Sequence, residues 1–286
     1  MSRKHLIIAG GQKCGTTWLS HALALQPGFY LSKNASEIHF FDRDYESERD
    51  LGNYWSHFFK AGNTDVTVDV TPDYMYSIDA RQRIIDVAQS SERQIKILLV
   101  LREPVSRLES AYHMKVRKSH KKSLKTMLIE DSLLVKKSLY SDGVRHFIHS
   151  LGRDNLLVMI HEERIQHVDG MLSFICEFCD VEYRSGNPFF GKPINSGGYR
   201  KWETVDNLLQ LGGRIGRRLN LHHVVHRAKA SWAYQRIVQL NTCKALLSAE
   251  DRSYLVELKK SIFEDDVQQL SELLPNHDVK RLWDYL

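Results

Sequence analysis

The stretch LIIAGGQKCGTTW, from Leu6 to Trp18, combines the features of a strand, a glycine-rich turn and the start of a helix. Backbone N–H groups at a helix N-terminus point outward together, and glycines leave room for an anion to approach them. The stretch therefore predicts a phosphate-binding turn. The simpler alternative is a tight connection between a strand and a helix.

The position of the lysine separates this turn from the phosphate loop of nucleoside triphosphate enzymes. Gly10 and Gly15 have the spacing of GxxxxGK[ST], but Thr16 stands where that loop carries its lysine, and the lysine comes earlier, at Lys13. We predict that the turn binds a nucleotide 5′ phosphate, with its cation aimed differently from one that holds a γ-phosphate.

Short apolar runs alternate with helical patterns along the first two thirds of the chain. The runs are Leu6–Ala9, Val66–Val70, Ile95–Leu101 and Asn155–Ile160, and helices are predicted over Thr16–Gln26 and from Pro104. This alternation predicts an α/β fold with a P-loop-like parallel sheet flanked by helices. The strand signal ends by Trp202. We expect a single domain over residues 1–286, with a nucleotide-binding core at 5–200 and a helical C-terminal portion at 201–286.

The composition is that of a soluble globular protein. Hydrophobic residues make up 42% of the 286 residues, charged residues 26%, and there are only 6 prolines. The longest apolar runs are too short to cross a membrane, and the first strand begins too early for a signal peptide, so a cytoplasmic location is expected. Four cysteines are too few for a disulfide framework. Cys176 and Cys179 form a lone CxxC, which we interpret as a pair of buried structural thiols.

The excess of basic residues, +5 in formal charge, is unevenly placed. Residues 110–129 and 207–249 contain several lysines and arginines and no acidic residue. We call these segments the two basic windows. They are interpreted either as solvated faces or as surfaces that attract an anionic partner.

A second group of candidate residues is the hexapeptide EIHFFD, from Glu37 to Asp42. It follows the first helix, where the ligand-binding edge of the sheet is expected. Partial burial beside Phe40 and Phe41 favours a neutral carboxyl at Glu37, whereas Lys13 favours the carboxylate. Glu37 is therefore a candidate base, although the hexapeptide alone is also compatible with a surface turn.

A third group is REPVSRLESAY, from Arg102 to Tyr112, which begins where an apolar run ends. Arg102 can present a planar fork to a phosphate, and Ser110 on the following helix can add a hydroxyl. Enzymes that use Mg²⁺ and a triphosphate more naturally place an aspartate at this position. A purely structural arginine, capped by a nearby carboxylate, is the alternative.

Together these three motifs resemble the sulfotransferases that use 3′-phosphoadenosine 5′-phosphosulfate, especially the branch of heparan sulfate sulfotransferases and their bacterial relatives. The resemblance implies Glu37 as catalytic base, Lys13 as a catalytic cation, and His39 and Asp42 as supporting residues on the acceptor side. It also implies a set of nucleotide-binding residues, without a metal: Gly11, Gln12, Lys13, Cys14, Gly15, Thr16, Thr17, Trp18, Arg102, Ser110, Gly198 and Arg200.

Several positions depart from the family pattern. Ser36 and Val70 stand where the glycosaminoglycan enzymes usually carry lysines that help to hold sulfate or acceptor, and Val144 replaces a common tyrosine. The missing lysines count against a heparan-type acceptor more than against the sulfate donor. The late segment Asn195–Arg200 resembles a loop that closes over the nucleotide.

The resemblance implies transfer of a sulfuryl group to a hydroxyl, with a carbohydrate as the expected acceptor. The basic windows are compatible with an anionic glycan or glycolipid, and neutral glycans and other alcohols remain open. Two other functions are considered: a P-loop kinase acting on small molecules, and a non-catalytic binder of polyanions or nucleic acid. Thr16 and Arg102 argue against the first, and the shortage of aromatic residues in the first basic window argues against nucleic acid.

Overall fold

The fold is built on a five-stranded parallel sheet. The computed structural model describes residues 4–32, 37–44, 51–62, 65–116, 123–166, 168–186, 199–200, 211, 242–243 and 247–285. The sheet has the strand order β2-β3-β1-β4-β5, and every recorded pairing between its neighbouring strands is parallel. The predicted α/β fold, a parallel sheet flanked by helices with a helical C-terminal region, is confirmed.

The strands lie close to the predicted apolar runs. Their bounds are Lys4–Gly10 for β1, Phe29–Leu31 for β2, Val66–Val70 for β3, Gln94–Leu101 for β4 and Leu156–Ile160 for β5. The sequence analysis missed β2, because three residues at the edge of a sheet are too few to show a pattern. The central strands β1 and β4 lie side by side, so the segments that follow them emerge at the same edge.

The described residues contain helices α1 to α12. Their bounds are Thr16–Leu23, Leu51–Ser56, Ile78–Ser90, Pro104–Val116, Leu124–Glu130, Leu133–Lys136, Ser141–Leu151, His161–Gln166, Val168–Phe178, Ala249–Leu258, Glu264–Leu273 and Val279–Leu282. The predicted starts at Thr16 and Pro104 are correct, and α1 ends three residues before the predicted Gln26. In the part of the chain that the structure describes, no helix is long and apolar enough to span a membrane.

One face of the sheet is covered by α1 and α9. Leu19 and Leu23 of α1 and Leu172 and Ile175 of α9 are fully buried in one hydrophobic cluster with residues of β1, β3 and β4. Cys176 of α9 belongs to the same cluster and is buried, as is Cys179 just beyond the helix, and both are free thiols. The predicted burial of this CxxC pair is confirmed.

The chain divides into two compact units. The first contains Met1–Leu108, Asp131–Ile194 and Leu255–Leu286, and the second contains Glu109–Glu130 and Asn195–Tyr254. The expected single domain, divided near residue 200, stays a prediction. The second unit contains an antiparallel pair, β6 (Tyr199–Arg200) with β7 (Thr242–Cys243), which the sequence analysis did not predict because two-residue strands leave no pattern.

On the opposite side of β1 from the α1 cluster, His5 is buried among aromatic rings, and both of its ring nitrogens contact hydroxyls. Its Nδ1 lies 2.7 Å from Thr67 Oγ1, and its Nε2 lies 2.7 Å from the Tyr54 hydroxyl. Burial lowers the pKa of His5 to about 3, assisted by the charge of Arg93. His5 is therefore neutral in the folded protein at pH values where a histidine in the unfolded chain is already protonated.

We expect this difference to weaken the fold in acid. Because the unfolded state binds the extra proton, the free energy of unfolding should fall as the pH drops from 6.5 towards 3, by at most about 1.4 kcal/mol per pH unit. Urea unfolding of the wild type and of His5→Gln, measured between pH 7 and pH 4, checks this. The variant should lose less stability over that range, and equal pH slopes for the two proteins would contradict the prediction.

Candidate active site

The glycine-rich turn after β1 has little space for larger residues. Gly11 donates its N–H to Val100 O at 2.7 Å, which attaches the turn to the end of β4. A Cβ at Gly11 would lie 2.9 Å from both Cys14 Sγ and the Tyr76 hydroxyl. Lys13 and Gly15 have left-handed backbone conformations, with φ of 71° and 99°, and Gly15 directly precedes α1. The backbone thus curls around the N-terminus of α1, as a phosphate-binding turn requires.

Three residues outside the turn hold its backbone in place. The Gln12 N–H donates to the Tyr76 hydroxyl at 3.0 Å, and the Gln12 side chain donates to Asp73 Oδ1 at 3.2 Å. His161 Nδ1 lies 2.8 Å from Cys14 O, and it must carry a hydrogen because a carbonyl only accepts. The sequence analysis missed these contacts. Tyr76 and Asp73 follow β3, and His161 follows β5, so their positions at the sheet edge were the only signal.

The side chains of the turn and of the first residues of α1 differ in burial. Cys14 is fully buried, and this burial raises the pKa of its thiol to about 12. Trp18 is 7% exposed and belongs to the α1 cluster. Thr16 is buried and Thr17 is exposed in the first turn of α1. The predicted contact of Trp18 with a nucleotide stays a prediction.

Arg102 lies beside the turn at the end of β4. Its Nη1 donates to Lys13 O at 3.4 Å, and its carbonyl accepts a hydrogen bond from the Tyr140 hydroxyl at 2.8 Å. Its Nε is buried and has no hydrogen-bond partner among the described residues. Because a buried guanidinium N–H without an acceptor costs free energy, this group suits an anion that binds beside the turn.

Glu37, His39 and Asp42 form a connected group. His39 Nε2 lies 3.0 Å from Glu37 Oε2, and His39 Nδ1 lies 3.0 Å from Asp42 Oδ2. Asp42 is mostly buried, with 11% of its side chain exposed, whereas Glu37 is 44% exposed. Asp42 is thus the inner end of the group, His39 lies between the two carboxylates, and the partly exposed Glu37 is the outer end. The arrangement can present Glu37 to a substrate hydroxyl.

The loop that carries this group rests on two hydroxyls. The N–H groups of Ile38 and His39 donate to Thr71 Oγ1 at 3.1 and 3.4 Å, and the Phe40 N–H donates to the Tyr74 hydroxyl at 3.0 Å. His39 adopts a left-handed backbone conformation with φ of 57°, which is unfavourable for a residue with a side chain. The hydrogen bonds to Thr71 and Tyr74 help to hold that conformation.

A cavity of about 350 Å³ lies between this loop and α1, the helix that follows the phosphate turn. It is lined by Glu37, by Thr16 and Thr17 of α1, and by Val70 at the end of β3, among others. Val70 is the position where the glycosaminoglycan enzymes usually carry a lysine. The predicted base therefore shares one cavity with Thr16 and Thr17, which directly follow the glycine-rich turn, and the β3 wall of this cavity is apolar at Val70.

Asp73 lies next to both the phosphate turn, through Gln12, and the group formed by His39 and Asp42. One oxygen of Asp73 lies within 4.8 Å of a ligand atom of His39 and one of Asp42, a separation that could accommodate a metal ion. Asp73 Oδ1, however, already lies 2.6 Å from Lys137 Nζ. An ammonium group thus supplies positive charge to this cluster. The expectation that the site needs no metal stays a prediction.

Several other predicted site residues lie in the second compact unit or outside the described residues. Ser110 lies on α4 in the second compact unit, and Arg200 lies in β6 of that unit. Gly198, Ser36, residues 117–122 of the first basic window and most of the second basic window are outside the described residues. The roles predicted for them stay predictions.

Known proteins resemble this chain in sequence and in fold. The family model described as a sulfotransferase domain matches residues 3–188, well over half of the chain. The chain belongs to the sulfotransferase domain family. Among solved structures, it resembles the crystal structure of a sulfotransferase from Alicyclobacillus acidocaldarius, with a TM-score of 0.67 and 18% identity over 99% of both chains. At this identity the likeness shows a sulfotransferase fold.

Curated relatives of this sulfotransferase-domain protein include heparan sulfate glucosamine 3-O-sulfotransferase 5 from Mus musculus and from Homo sapiens. Each is 32% identical over 106 residues, which cover 37% of this chain and 29% of the relative. The match therefore spans less than a third of the length of these relatives.

Proposed function

We propose that this protein transfers a sulfuryl group from 3′-phosphoadenosine 5′-phosphosulfate to a hydroxyl of a carbohydrate. The observation that carries the proposal is the convergence of the three motifs. Arg102 contacts the phosphate turn at Lys13 O, and Glu37 shares a cavity with Thr16 and Thr17. Family membership supports the reaction class.

The donor would bind across the carboxyl ends of β1 and β4. The turn from Gly11 to Thr17 would hold the 5′ phosphate through backbone N–H groups, and Arg102, with its buried Nε, would hold the 3′ phosphate. When bound, the donor supplies an activated sulfuryl group and leaves as adenosine 3′,5′-bisphosphate. Lys13 and Thr17 would stabilise the negative charge that builds up on the departing phosphate.

Glu37 would accept the proton of the attacking hydroxyl. The carboxylate must come within about 3 Å of that hydroxyl, and its exposure towards the cavity allows an acceptor to approach. His39 holds Glu37 Oε2 at 3.0 Å and is itself held by Asp42, so the carboxylate keeps one orientation. His39 and Asp42 therefore act as supporting residues on the acceptor side.

A glycan or glycolipid is the proposed acceptor class. The heparan sulfate enzymes among the curated relatives support it by their names. Val70 in the cavity wall favours an acceptor that lacks an anionic group next to the reacting hydroxyl, because a charge there would meet an apolar surface. Lys137 provides positive charge next to Asp73, close to His39 and Asp42. A cytoplasmic location is proposed as well.

The proposal is tested by incubating the purified protein with ³⁵S-labelled donor and a panel of neutral and anionic glycans, glycolipids and simple alcohols. We expect label transfer to at least one carbohydrate without added metal, together with release of adenosine 3′,5′-bisphosphate. Hydrolysis of ATP that depends on Mg²⁺, without any transfer from the sulfate donor, would favour the kinase alternative. Label transfer only to simple alcohols would reject the carbohydrate acceptor but not the reaction class.

A further inference from the structure

Three consecutive backbone N–H groups of the Glu37 loop depend on hydroxyls that are themselves bound to one carboxylate. Asp69 of β3 is fully buried. Its Oδ1 accepts from Thr71 Oγ1 at 2.7 Å, and its Oδ2 accepts from the Tyr74 hydroxyl at 3.1 Å. These are the two hydroxyls on which the N–H groups of Ile38, His39 and Phe40 rest.

The carboxylate determines the direction of these hydrogen bonds. A hydroxyl has one hydrogen, and Thr71 and Tyr74 each donate it to Asp69, because an ionised carboxylate only accepts. Their oxygen lone pairs are then free to accept the loop N–H groups. An amide at position 69 would place an NH₂ group against one of these hydroxyls and reverse its polarity, so a loop N–H would lose its acceptor.

Asp69 is also supported from the side away from the loop. The Tyr54 hydroxyl of α2 donates to Oδ2 at 3.0 Å, and His5 of β1 contacts that hydroxyl. The titratable groups around Asp69 among the described residues are thus Tyr54, Tyr74, His5 and, through its charge, His39. Burial raises the pKa of Asp69 to about 6, against the effect of its hydrogen bonds, so the carboxylate form prevails at neutral pH.

We infer that Asp69 is a positioning residue for the reaction, which acts through Thr71 and Tyr74 to hold the loop that carries Glu37 and His39. The inference rests on the proposed function of Glu37 as base. Asp69 itself lies below the loop and does not line the cavity. Its contribution is to orient two hydroxyls, which keep the left-handed backbone at His39 and, through it, the placement of Glu37.

Loss of this support should speed the exchange of particular loop amides, in a pattern that a general loss of stability would not produce. Measured by NMR, amide hydrogen exchange of Ile38 and His39 should be faster in Thr71→Val, and that of Phe40 should be faster in Tyr74→Phe. In Asp69→Asn at least one of these three amides should exchange faster. Thr71→Ser keeps the hydroxyl and should restore slow exchange. Ser248→Ala removes a hydroxyl that accepts the Asp251 N–H and has no contact with Asp69, Thr71 or Tyr74, so it is the matched control and should leave the loop amides unchanged.

Kinetics test the link to catalysis. Asp69→Asn and Thr71→Val should each lower kcat by about 10- to 100-fold, because small displacements of a reacting group are costly, and should keep the affinity for adenosine 3′,5′-bisphosphate. The double variant should be no slower than the slower single variant, because both changes remove the same support. Additive losses would overturn the inference.

The exchange measurement does not depend on the reaction, so two failures can be told apart. Unchanged exchange of all three loop amides in Asp69→Asn overturns the positioning role, whatever the activity. Faster exchange with unchanged kcat overturns the link between the loop and catalysis. Faster exchange in a protein that transfers no sulfuryl group would instead reject the proposed function and leave the support of the loop by Asp69 in place.

Discussion

Glu37→Gln is expected to abolish most turnover while adenosine 3′,5′-bisphosphate still binds with nearly unchanged affinity. A general base typically contributes about 100- to 10,000-fold to a rate, and the amide cannot take the proton of the acceptor. Glutamine has the same shape as glutamate and can still contact His39, so the loop should keep its conformation. Isothermal titration with the bisphosphate and a ³⁵S-transfer assay under saturating donor separate binding from chemistry.

A second glutamate and histidine pair provides the control for this substitution. Glu163 Oε2 lies 3.1 Å from His277 Nδ1, and the Glu163 side chain is 44% exposed, like that of Glu37. Glu163→Gln changes the same chemical group in the same kind of contact away from the cavity and should leave turnover unchanged. Near-normal turnover of Glu37→Gln, or equal losses in both variants, would show that Glu37 is not the base.

The fold could be predicted from the sequence because its determinants are local. The apolar runs that form β1, β3, β4 and β5 are each long enough to show their pattern, and the parallel sheet follows from the helices between them. A three-residue edge strand such as β2 carries no such pattern. Its position depends on pairing with β3, which is a property of the assembled sheet.

The candidate site was predictable only in part, because some of its residues come together from distant segments of the chain. Glu37, His39 and Asp42 are close in sequence, so they could be recognised together as candidates, whereas their contacts with one another are evident only in the structure. Lys137 and His161 reach the site from distant segments, and an isolated lysine or histidine gives no signal of its partner. Asp69 was hidden for another reason: it lies in a buried strand, where its sequence neighbours are apolar, and its importance comes from two hydroxyls that the fold places beside it.

The second large effect is expected at Arg102. Arg102→Ala should weaken the binding of adenosine 3′,5′-bisphosphate by roughly 10- to 150-fold, because hydrogen bonds to charged groups contribute about 1.5–3 kcal/mol. Adenosine 5′-phosphate, which lacks the 3′ phosphate, should lose much less. The variant would therefore lose the preference of the wild type for the bisphosphate, and this loss can be measured by titrating both nucleotides against both proteins. Arg102→Lys should recover part of the affinity, since it keeps the charge but cannot present a planar fork.

Arg153→Ala is a suitable control for that measurement. Arg153 Nη1 donates to Leu273 O at 2.9 Å, as Arg102 Nη1 donates to Lys13 O, but Arg153 is exposed and is far along the chain from the phosphate turn. The two changes remove the same kind of hydrogen bond to a carbonyl, so a difference between them reports on the nucleotide rather than on the loss of an arginine. If Arg102→Ala weakened both nucleotides equally, Arg102 would support the turn through Lys13 O without contacting the 3′ phosphate. Its buried Nε would then need another acceptor, and the donor would have to reach the turn along a different path.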